Sequence, residues 1–239
     1  MKIALIGYGK MGKAIEETAI GRGHTISLKI NSSNLADLTA ASLQQADVAI
    51  EFTSPHSAKD NIMLCLEAGI PVVSGSTGWL EQWKEVEAAC QQLNGSFLYA
   101  SNFSVGVNIF FAINRHLARL MNQQAGYSVS IEEIHHTQKK DAPSGTAITL
   151  AEQILQEVTR KKSWVNHVSN QPEELPIISK RIDPAPGTHI VNYHSPVDDI
   201  TISHIAHNRQ GFALGAVLAA EYIAGKKGIF NMQQVLFPQ

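Results

Sequence analysis

The sequence contains few of the residues that mark disulfide-stabilised or nucleic-acid-binding proteins. Cys65 and Cys90 are the only cysteines among its 239 residues, and each lies in a stretch with helical periodicity. They resemble small buried hydrophobic residues rather than a disulfide framework, which favours a reducing cytoplasm. The formal net charge is -2, and no basic stripe with interleaved aromatic residues occurs. Nucleic acid is therefore not expected as a partner.

Long apolar runs are also absent. The opening residues, MKIALIG, contain one lysine and an apolar run that ends at Gly7, which is too short for a signal peptide. No run reaches the length needed to cross a bilayer. With 44% hydrophobic and 17% charged residues, the composition suits one large or two small globular domains. We expect a cytoplasmic protein with no membrane association.

The first half of the sequence alternates regularly between two kinds of segment. The apolar runs KIALI, HTISLKI, DVAIEF, IPVVSG and SFLYA predict five strands, and the segments between them predict helices. This alternation favours an α/β fold with a Rossmann-type, doubly wound parallel sheet. We assign residues 1–103 to this dinucleotide-binding domain.

The pattern changes after Phe103. GVNIFFAINRHLARLM and GTAITLAEQILQEV predict helices, YSVSIEEIHH predicts a strand, and a polar, proline-rich stretch from Lys161 to Pro186 holds two more strands. THIVNYHS and DDITISHIAH predict two further strands. Runs of strands without regular helical crossovers favour a second, α+β domain over residues 104–208. The helix GFALGAVLAAEYIAG and the tail, residues 209–239, are expected to return to the first domain.

The segment GYGKMG, from Gly7 to Gly12, lies between the first predicted strand and the helix after it. In this context Gly7 permits a tight turn, Gly9 lets a pyrophosphate approach the backbone, and Gly12 lets helix and strand pack closely. The helix start also supplies free N–H groups and the positive end of the helix dipole. We therefore predict a dinucleotide site formed by Gly7, Tyr8, Gly9, Lys10, Met11 and Gly12.

Three other strand ends bear on this site. The second strand ends in LKINSSN, with Asn31 where an acidic residue would grip the ribose of NAD, so the choice between NADH and NADPH stays open. Asn31 is equally consistent with a simple turn residue. GSTG and ASNFS follow the fourth and fifth strands, at the sheet edge where such folds bind ligands. As isolated loops, they are equally consistent with ordinary turns.

The segment EEIHHTQKKDAPSGTA, from Glu132 to Ala147, contains an anion site by its pattern. Ser144 is a good N-cap for the apolar-periodic helix that follows. The first N–H groups of this helix, near Gly145 and Thr146, suit a carboxylate, and glycine removes a side chain that would block it. The alternative is that Ser144 simply starts a helix.

The same segment is dense in ionisable side chains. His135 and His136 are of the residue type that serves as a general acid or base in catalysis, and Lys139 and Lys140 add positive charge. Taken singly, a histidine at a strand end is usually structural and a lysine pair usually lies in a solvated loop. Together, in a chain with a dinucleotide turn, they predict a pocket that binds an anionic substrate and protonates it.

The number of histidines raises metal binding as an alternative use. There are no cysteine pairs, adjacent histidines do not easily share one ion, and His204-x-x-His207 lies on a predicted strand. We therefore predict no metal site and interpret His204 and His207 as hydrogen-bonded structural residues. The histidines considered are His135, His136, His189, His194, His204 and His207.

The motifs GYGKMG, GSTG, NFSVGVN, EEIHHTQKKDAPSGTA and ISHIAHNRQGFALGA occur in the order found in the dihydrodipicolinate (4-hydroxy-tetrahydrodipicolinate) reductase family, whose shorter members the sequence resembles over nearly its whole length. The resemblance implies reduction of a cyclic imine dicarboxylate by NADPH or NADH in lysine and diaminopimelate biosynthesis. It also implies a homotetramer built through the sheet of the second domain.

The resemblance implies a role for each matching position. His135 matches the family's acid/base residue and Lys139 its proton-donating lysine. His136 and the Ser144–Thr146 helix start, with the backbone of Gly145, match groups that bind the substrate's carboxylates. The implied cofactor site consists of Gly7–Gly12, Asn31, Gly75, Ser76, Thr77, Ala100, Ser101, Asn102 and Phe103, with Thr77 also near the substrate.

Departures from the family pattern leave some points open. Lys140 stands where an apolar residue is common, so which lysine acts is not settled by the motif. Thr137 and Gln138 replace more basic residues, which reduces the charge expected in the pocket. Two alternatives compete: an oxidoreductase acting on another small imine or aldehyde, and a dinucleotide-binding sensor without catalysis. The DAPSGT segment argues against the first, and His135 with Lys139 against the second.

Overall fold

The structure is a computed structural model that describes residues 1–238. The chain forms two compact units, one of Met1–Val105 together with the residues from Arg209 onward, and one of Gly106–Asn208. Within the described residues, no helix combines the length and the apolar character needed to span a bilayer. Strands and helices are numbered along the whole chain.

The first unit is built on a parallel sheet of six strands. The strands are β1 (Lys2–Ile6), β2 (Thr25–Ile30), β3 (Val48–Glu51), β4 (Val72–Ser74), β5 (Ser96–Tyr99) and β11 (Gly228–Phe230). Their order is β11-β5-β4-β3-β1-β2, and every neighbouring pair is parallel. The order reverses at β1, so the carboxyl ends of β1 and β3 form the crevice in which such sheets bind ligands. The predicted doubly wound parallel sheet is confirmed.

Helices cover both faces of this sheet. They are α1 (Lys10–Gly21), α2 (Ala40–Leu43), α3 (Ala58–Glu67), α4 (Trp83–Gln92), α7 (Gln210–Ile223) and α8 (Met232–Leu236). Successive side chains of a strand point to opposite faces. Accordingly, Ile3 and Leu5 of β1 pack in a cluster with α1 and α7, whereas Ala4 and Ile6 pack with α3 and α4. This two-sided burial explains why the strands of this unit are continuous apolar runs rather than alternating ones.

All five strands predicted in the first half of the chain are present, but the prediction missed a sixth strand of this sheet in the C-terminal segment. The sixth strand, β11, has only three residues and pairs with β5 through Gly228↔Ser96 and the two following positions. A run this short has no periodicity that distinguishes it from a loop, and its partner lies far away in the sequence. Only the long-range pairing identifies it as a strand.

The second unit has a mixed sheet covered by two helices. Its strands are β6 (Ser128–His135), β7 (Ser163–Val165), β8 (Glu174–Arg181), β9 (Thr188–His194) and β10 (Asp199–Ile205), in the order β10-β9-β6-β8-β7. Strand β9 is antiparallel to β6 and β10, whereas β8 is parallel to β6 and β7. The helices are α5 (Val105–Met121) and α6 (Gly145–Glu157). The predicted α+β character is confirmed.

Strand β6 places ionisable groups in the interior of the second unit. Its burial alternates with period two, so Val129, Ile131, Glu133 and His135 share the face that packs against α5 and α6. The first two join the apolar core. The last two continue the same buried row at the carboxyl end of the strand, directly before the loop that leads to α6. The fold therefore brings a buried carboxyl group and an imidazole to the base of that loop.

Candidate active site

The three glycines of the turn after β1 meet three different steric demands. Gly7 has a φ of +96°, and a Cβ there would lie 2.0 Å from the carbonyl oxygen of Phe52. A Cβ on Gly12 would lie 2.7 Å from the carbonyl oxygen of Gly7. A Cβ on Gly9, by contrast, would meet nothing within 4 Å. The turn is therefore closely packed at Gly7 and Gly12 but open at Gly9. This geometry lets a pyrophosphate approach the backbone at Gly9 without meeting a side chain.

A cavity of about 460 Å³ opens beside this turn. Besides Gly7–Gly9 and Asn31, it is lined by the segment that follows β3, which sequence reasoning did not include in the site. That segment contributes Phe52, Thr53, Ser57 and Asn61. It has no glycine motif to mark it. Its one available signal was its position at the carboxyl end of the strand next to β1, where the strand order reverses.

The end of β2 is organised as a turn around Asn31. The side-chain oxygen of Asn31 accepts hydrogen bonds from the backbone N–H and the hydroxyl of Ser33, at 2.8 and 2.6 Å. Nearby, Nζ of Lys29 lies 2.5 Å from a carboxyl oxygen of Glu16, and the hydroxyl of Tyr8 donates to the other oxygen. The positive charge nearest to Asn31 on β2 is therefore already paired.

Glu51, the last residue of β3, is a completely buried carboxyl group that sequence reasoning missed. It accepts hydrogen bonds from the hydroxyls of Ser74 and Ser76, at 2.6 and 2.8 Å, and from the backbone N–H of Thr53 at 2.8 Å. The hydroxyl of Thr53 also donates to it. The Ser76 hydroxyl is thus turned into the protein, whereas Thr77 is exposed. Glu51 ties the loops after β3 and β4 together.

The aromatic ring of Phe52 connects the same loops from the other side. A Cβ on Gly75 would lie 2.2 Å from this ring, so only glycine allows the contact. The ring also packs against Phe103, with 5.5 Å between centroids. Phe103 itself is 2% exposed, while Ser101 is exposed and Ala100 is half-buried. Of the loop after β5, Ser101 offers a side chain outward and Phe103 belongs to the core. Asn102 accepts a hydrogen bond from the backbone N–H of Ser104 at 2.8 Å.

In the second unit, Glu133 is surrounded by donors although it is completely buried. Both terminal nitrogens of Arg181 donate to its Oε1 at 3.0 Å, and its Oε2 lies 2.5 Å from Nδ1 of His135 in an ion-pair contact. Burial by itself would raise the pKa of Glu133, but the surrounding polar and charged groups outweigh it and hold the pKa well below its usual range. The groups that lower the pKa are His135, Ser179, Ser144 and Arg181, of which only Arg181 makes a hydrogen bond to the carboxyl group within residues 1–238.

His135 is 8% exposed, and its two ring nitrogens have different surroundings. Nδ1 faces Glu133, whereas Nε2 faces Gly187, where a Cβ would lie only 3.1 Å away. The absence of a side chain at Gly187 therefore leaves space beside Nε2. The carboxyl contact at Nδ1 fixes the ring orientation, in the way that a carboxylate orients a catalytic histidine.

His189 lies next to His135, with 5.1 Å between the ring centroids. Burial lowers the pKa of His189 to about 3, and the neighbouring His135 acts in the same direction. His189 is therefore neutral at physiological pH. Its Nε2 lies 3.0 Å from the hydroxyl oxygen of Ser144, which also accepts a hydrogen bond from the backbone N–H of Ala147 at 3.2 Å. The predicted N-cap role of Ser144 is confirmed, and its hydroxyl faces the interior.

The start of α6 is open on its outer side. Gly145 is exposed, and a Cβ there would meet nothing within 4 Å. No acidic residue lies in the first turn of the helix, and Thr146 is half-buried. The first N–H groups of a helix have no partner within it and carry the positive end of the dipole. The geometry thus fits a carboxylate approaching the backbone at Gly145.

The two lysines of the loop differ in their surroundings. Nζ of Lys139 lies 2.8 Å from both carboxyl oxygens of Asp141, and its side chain is 22% exposed. This ammonium group lowers the pKa of Asp141. Lys140 is exposed and forms no ion pair with any residue among 1–238. Half-buried His136 lies beside Thr137, whose backbone N–H and hydroxyl donate to Asp183 at 3.2 and 2.6 Å.

Glu133, His135 and His189 each offer one potential metal ligand, and these atoms lie within 4.8 Å of one another. Two features favour an ion-pair network instead. The 2.5 Å contact between Glu133 and His135 is shorter than the roughly 3.3 Å that separates two ligands of a tetrahedral zinc ion. The guanidinium of Arg181 also lies 3.0 Å from the same carboxyl group, and its positive charge opposes a metal ion.

The expectation that His204 is a hydrogen-bonded structural residue was wrong for its Nδ1. Within residues 1–238 this buried atom has no hydrogen-bond partner, and the ring packs against Phe110 with 6.2 Å between centroids. His207, by contrast, is exposed. The ring packing at His204 cannot be read from the sequence, because Phe110 lies on α5 far away in the chain.

The parallel sheet with its open glycine turn, together with the ionisable loop of the second unit, defines a nicotinamide-dependent oxidoreductase. The chain belongs to the dihydrodipicolinate reductase family. The family's N-terminal domain, described as "Dihydrodipicolinate reductase, N-terminus", matches residues 1–103, and its C-terminal domain matches residues 106–236. The family resemblance inferred from the motifs is confirmed.

Individual relatives cover almost the whole chain. A 4-hydroxy-tetrahydrodipicolinate reductase from Christiangramia forsetii is 50% identical over 240 residues, which span 99% of this chain and 98% of the relative. One from Methanosarcina mazei is 36% identical, over 98% of this chain and 88% of the relative. Among solved structures, a dipicolinate-bound dihydrodipicolinate reductase from Paenisporosarcina sp. TG-14 superposes with a TM-score of 0.77 at 24% identity, over 98% of both chains. This last likeness establishes the fold.

Proposed function

We propose that this chain catalyses the NAD(P)H-dependent reduction of 4-hydroxy-tetrahydrodipicolinate to tetrahydrodipicolinate in lysine and diaminopimelate biosynthesis. Membership of the family and 50% identity to a relative of that name support the substrate. The observation that carries the chemistry is the loop between β6 and α6. It joins an open helix start at Gly145 to a partly buried ammonium group, Lys139, and an oriented imidazole, His135.

The cofactor site that we propose lies on the first unit. The first backbone N–H groups of α1, at Lys10–Gly12, hold the pyrophosphate beside the opening over Gly9, because the N–H groups of Gly7, Tyr8 and Gly9 already donate to protein carbonyls. Asn31 lies where the adenosine ribose is expected. The exposed groups of the loops after β4 and β5, at Thr77 and Ser101, face outward at the same sheet edge. When bound, the nicotinamide supplies the hydride of the reaction.

The substrate site that we propose lies on the second unit. The backbone at Gly145 and Thr146 binds one carboxylate, and His136 contributes to the binding of the dianion. Ser144 caps the helix rather than contacting the substrate directly. The residue is only 3% exposed, and its hydroxyl group is turned towards His189. A bound carboxylate beside Lys139 would loosen the lysine's pairing with Asp141 by competing for the ammonium group.

The proton transfer that we propose follows from the electron count. The substrate loses its 4-hydroxyl group as water, and the resulting conjugated imine accepts a hydride. The electron pair is left on an enamine, whose carbon must take up a proton. Lys139 donates it, and the Lys139 amine is reprotonated from solvent, to which its side chain is 22% exposed. His135, held by Glu133, shares the acid/base role through Nε2.

We also propose a homotetramer that is built through the sheet of the second unit. The sheet face opposite α5 and α6 carries Ile134, Ile178 and Ile190, and Ile205 at the edge is 57% exposed. Covering such a row in an assembly would remove apolar surface from water. Sedimentation velocity tests the assembly, and a monomer at micromolar concentration would contradict it.

The cellular compartment that we propose is a reducing cytoplasm. It is supported by the two free, buried thiols, Cys65 and Cys90.

A coupled assay tests the proposed reaction. Pyruvate and aspartate semialdehyde are mixed with the synthase that condenses them, and oxidation of NADPH or NADH is followed on addition of this protein. We expect oxidation only when the synthase is present. Cofactor binding without oxidation would indicate a dinucleotide-binding sensor. Oxidation with other imines or aldehydes, at rates equal to those with the synthase product, would indicate a different oxidoreductase.

A further inference from the structure

The segment that the sequence presents as a polar, proline-rich stretch contains Arg181, which contacts two residues of the loop between β6 and α6. Arg181 ends β8, which runs parallel to β6, and pairs in register with His135. Its side chain is 21% exposed. It extends towards Glu133 and towards the loop between β6 and α6, which carries Lys139.

All five N–H groups of the Arg181 guanidinium are matched by acceptors. Nε donates to the carbonyl oxygen of Lys139 at 3.3 Å, and one Nη2 hydrogen bond goes to the carbonyl oxygen of Asp141 at 2.5 Å. Nη1 and Nη2 each donate to Oε1 of Glu133 at 3.0 Å, and Nη1 also donates to the carbonyl oxygen of Lys180 at 2.8 Å. A planar fork with five fixed donors can make this set of contacts.

These contacts connect both candidate proton donors to one side chain. Lys139 and Asp141 form the ion pair that holds the Lys139 ammonium group, and Arg181 binds the backbone of both. Glu133 contacts Nδ1 of His135, and Arg181 binds Glu133. The guanidinium therefore fixes the backbone from which Lys139 extends and the carboxyl group that orients His135.

We propose that Arg181 is a positioning residue for proton transfer, because its guanidinium holds the backbone at Lys139 and Asp141 and the carboxyl group of Glu133 in one arrangement. It acts through these residues and does not itself contact the substrate. The inference rests on the proposed function, since it concerns the delivery of the proton that completes that reaction. A displacement of about 1 Å in a reacting group can cost about 10²-fold in rate, so the loop tethers matter for catalysis.

Replacement by lysine separates the charge of Arg181 from its geometry. In Arg181→Lys, an ammonium group can still pair with Glu133, but it cannot also reach the two loop carbonyls in the fixed fork. A matched control exists in the same unit. Arg119 makes a two-nitrogen contact with Glu157, at 3.2 and 3.0 Å, on an exposed surface remote in sequence from the loop. Arg119→Lys repeats the chemical change without touching the loop.

The experiment compares both variants with wild type in the coupled reductase assay, with NADH affinity measured by calorimetry and folding by urea denaturation. We expect Arg181→Lys to lower kcat by about 10²-fold while KM and NADH affinity change much less. We also expect its solvent deuterium isotope effect on kcat to rise, because proton transfer becomes slower relative to hydride transfer. Arg119→Lys should match wild type in all of these.

A second variant covers the case in which Arg181→Lys does not fold. In Arg181→Ala, added guanidinium ion is expected to restore part of kcat, whereas added ammonium ion is not. If wild type shows no reductase activity, the proposed function fails before this inference is tested. If wild type is active, the inference is overturned when Arg181→Lys keeps the kcat of Arg119→Lys. An unchanged isotope effect together with equal losses of kcat and NADH affinity would also overturn it.

Discussion

Glu51 and Glu133 are both completely buried carboxyl groups at or near the ends of interior strands, one in each unit. They differ in the charge of their hydrogen-bond donors, which are neutral at Glu51 and positively charged at Glu133. Glu51 is bound by three hydroxyl groups and a backbone N–H. Glu133 is bound by a guanidinium and contacts an imidazole. The neutral donors fasten the loops around Glu51 without adding charge, whereas the guanidinium of Arg181 pairs its charge with Glu133 and ties this carboxyl group to the loop that carries Lys139.

This difference corresponds to the two tasks that we assign to the units. A dinucleotide is held by backbone N–H groups and shape, and the loops fastened by Glu51 need only be rigid. A dicarboxylate whose reduction ends in a proton transfer needs a proton donor at a fixed position. Arg181, which is bound to Glu133, holds the backbone that carries our proposed donor, Lys139. The following predictions test this division, starting with the largest expected effect.

The charged loop of the second unit should lose catalysis when its proton donor is removed. Lys139→Ala is expected to lower kcat by about 10²–10⁴-fold, the usual contribution of a general acid, and His135→Ala should act similarly. Steady-state kinetics of the coupled reaction measure this. Lys140→Ala is the matched control and should be close to wild type, because Lys140 is exposed and unpaired in the described chain. Full activity in Lys139→Ala with loss in Lys140→Ala would move the role to Lys140.

The two buried carboxyl groups should differ in their contribution to stability. Glu133→Gln removes the charge that pairs with Arg181, and breaking such a buried pair typically costs about 3–5 kcal/mol. In Glu51→Gln, the hydroxyl groups that donate to the carboxyl group can rotate to suit the new amide. We therefore expect a smaller loss in the free energy of unfolding, of about 1–2 kcal/mol. Urea denaturation of both variants at neutral pH gives the free energies of unfolding. Equal losses in the two variants would remove the distinction between neutral and charged donors.

His189 lies beside His135 in the second unit but is itself neutral at physiological pH. Its pKa is about 3 in the folded protein, below the usual value near 6.5 of an unfolded histidine. Between these values the unfolded chain binds a proton that the folded chain does not, so stability falls as pH falls. The contribution is about 1.4 kcal/mol per pH unit, or about 2 kcal/mol between pH 6.5 and 5.

The variant His189→Gln isolates this contribution, since its side-chain nitrogen can still reach Ser144. Urea denaturation at several pH values should show a smaller acid-induced loss of stability in the variant than in wild type. The same pH dependence in both proteins would mean that His189 does not carry the effect.

The smallest effect is expected at the neutral site, in the choice of cofactor. Asn31 lacks the negative charge that repels the 2′-phosphate of NADP, but Lys29 is already paired with Glu16 and adds little attraction. We expect NADPH to be used at least as well as NADH, with a preference within about tenfold, or about 1.4 kcal/mol. Asn31→Asp should keep the turn, whose N–H and hydroxyl donors come from Ser33, and shift the ratio of kcat/KM towards NADH. A wild-type preference for NADH well beyond tenfold would contradict this.

The sequence predicts the first unit well because its signals are local. Apolar runs buried on both faces, a glycine turn and a strand–helix alternation are all visible within short windows. Glu51 was missed because DVAIEF resembles an ordinary buried strand, and two of its three hydroxyl partners, Ser74 and Ser76, lie at the end of a different strand and just after it. The short strand β11 was missed because only its pairing with β5 defines it.

For the second unit, the sequence predicts the loop but not what holds it. Residue type and spacing single out a loop with His135, His136, Lys139 and Lys140 before the helix start at Gly145, and the family resemblance implies that His135 and Lys139 act in proton transfer. Strand periodicity already places Glu133 on the buried face with His135, so this residue could have been found. Arg181 could not, because its contact depends on the parallel register between β6 and β8, which no local pattern specifies.

The most direct test of the division between the units is calorimetry on Gly145→Val, titrated separately with NADH and with dipicolinate as a dicarboxylate probe. A Cβ at Gly145 meets nothing within 4 Å, so the variant should fold while its side chain blocks the approach to the helix start. We expect an unchanged dissociation constant for NADH and a dicarboxylate affinity reduced by about tenfold or more, equivalent to about 1.4 kcal/mol. Equal weakening of both ligands, or unchanged dicarboxylate binding, would contradict it.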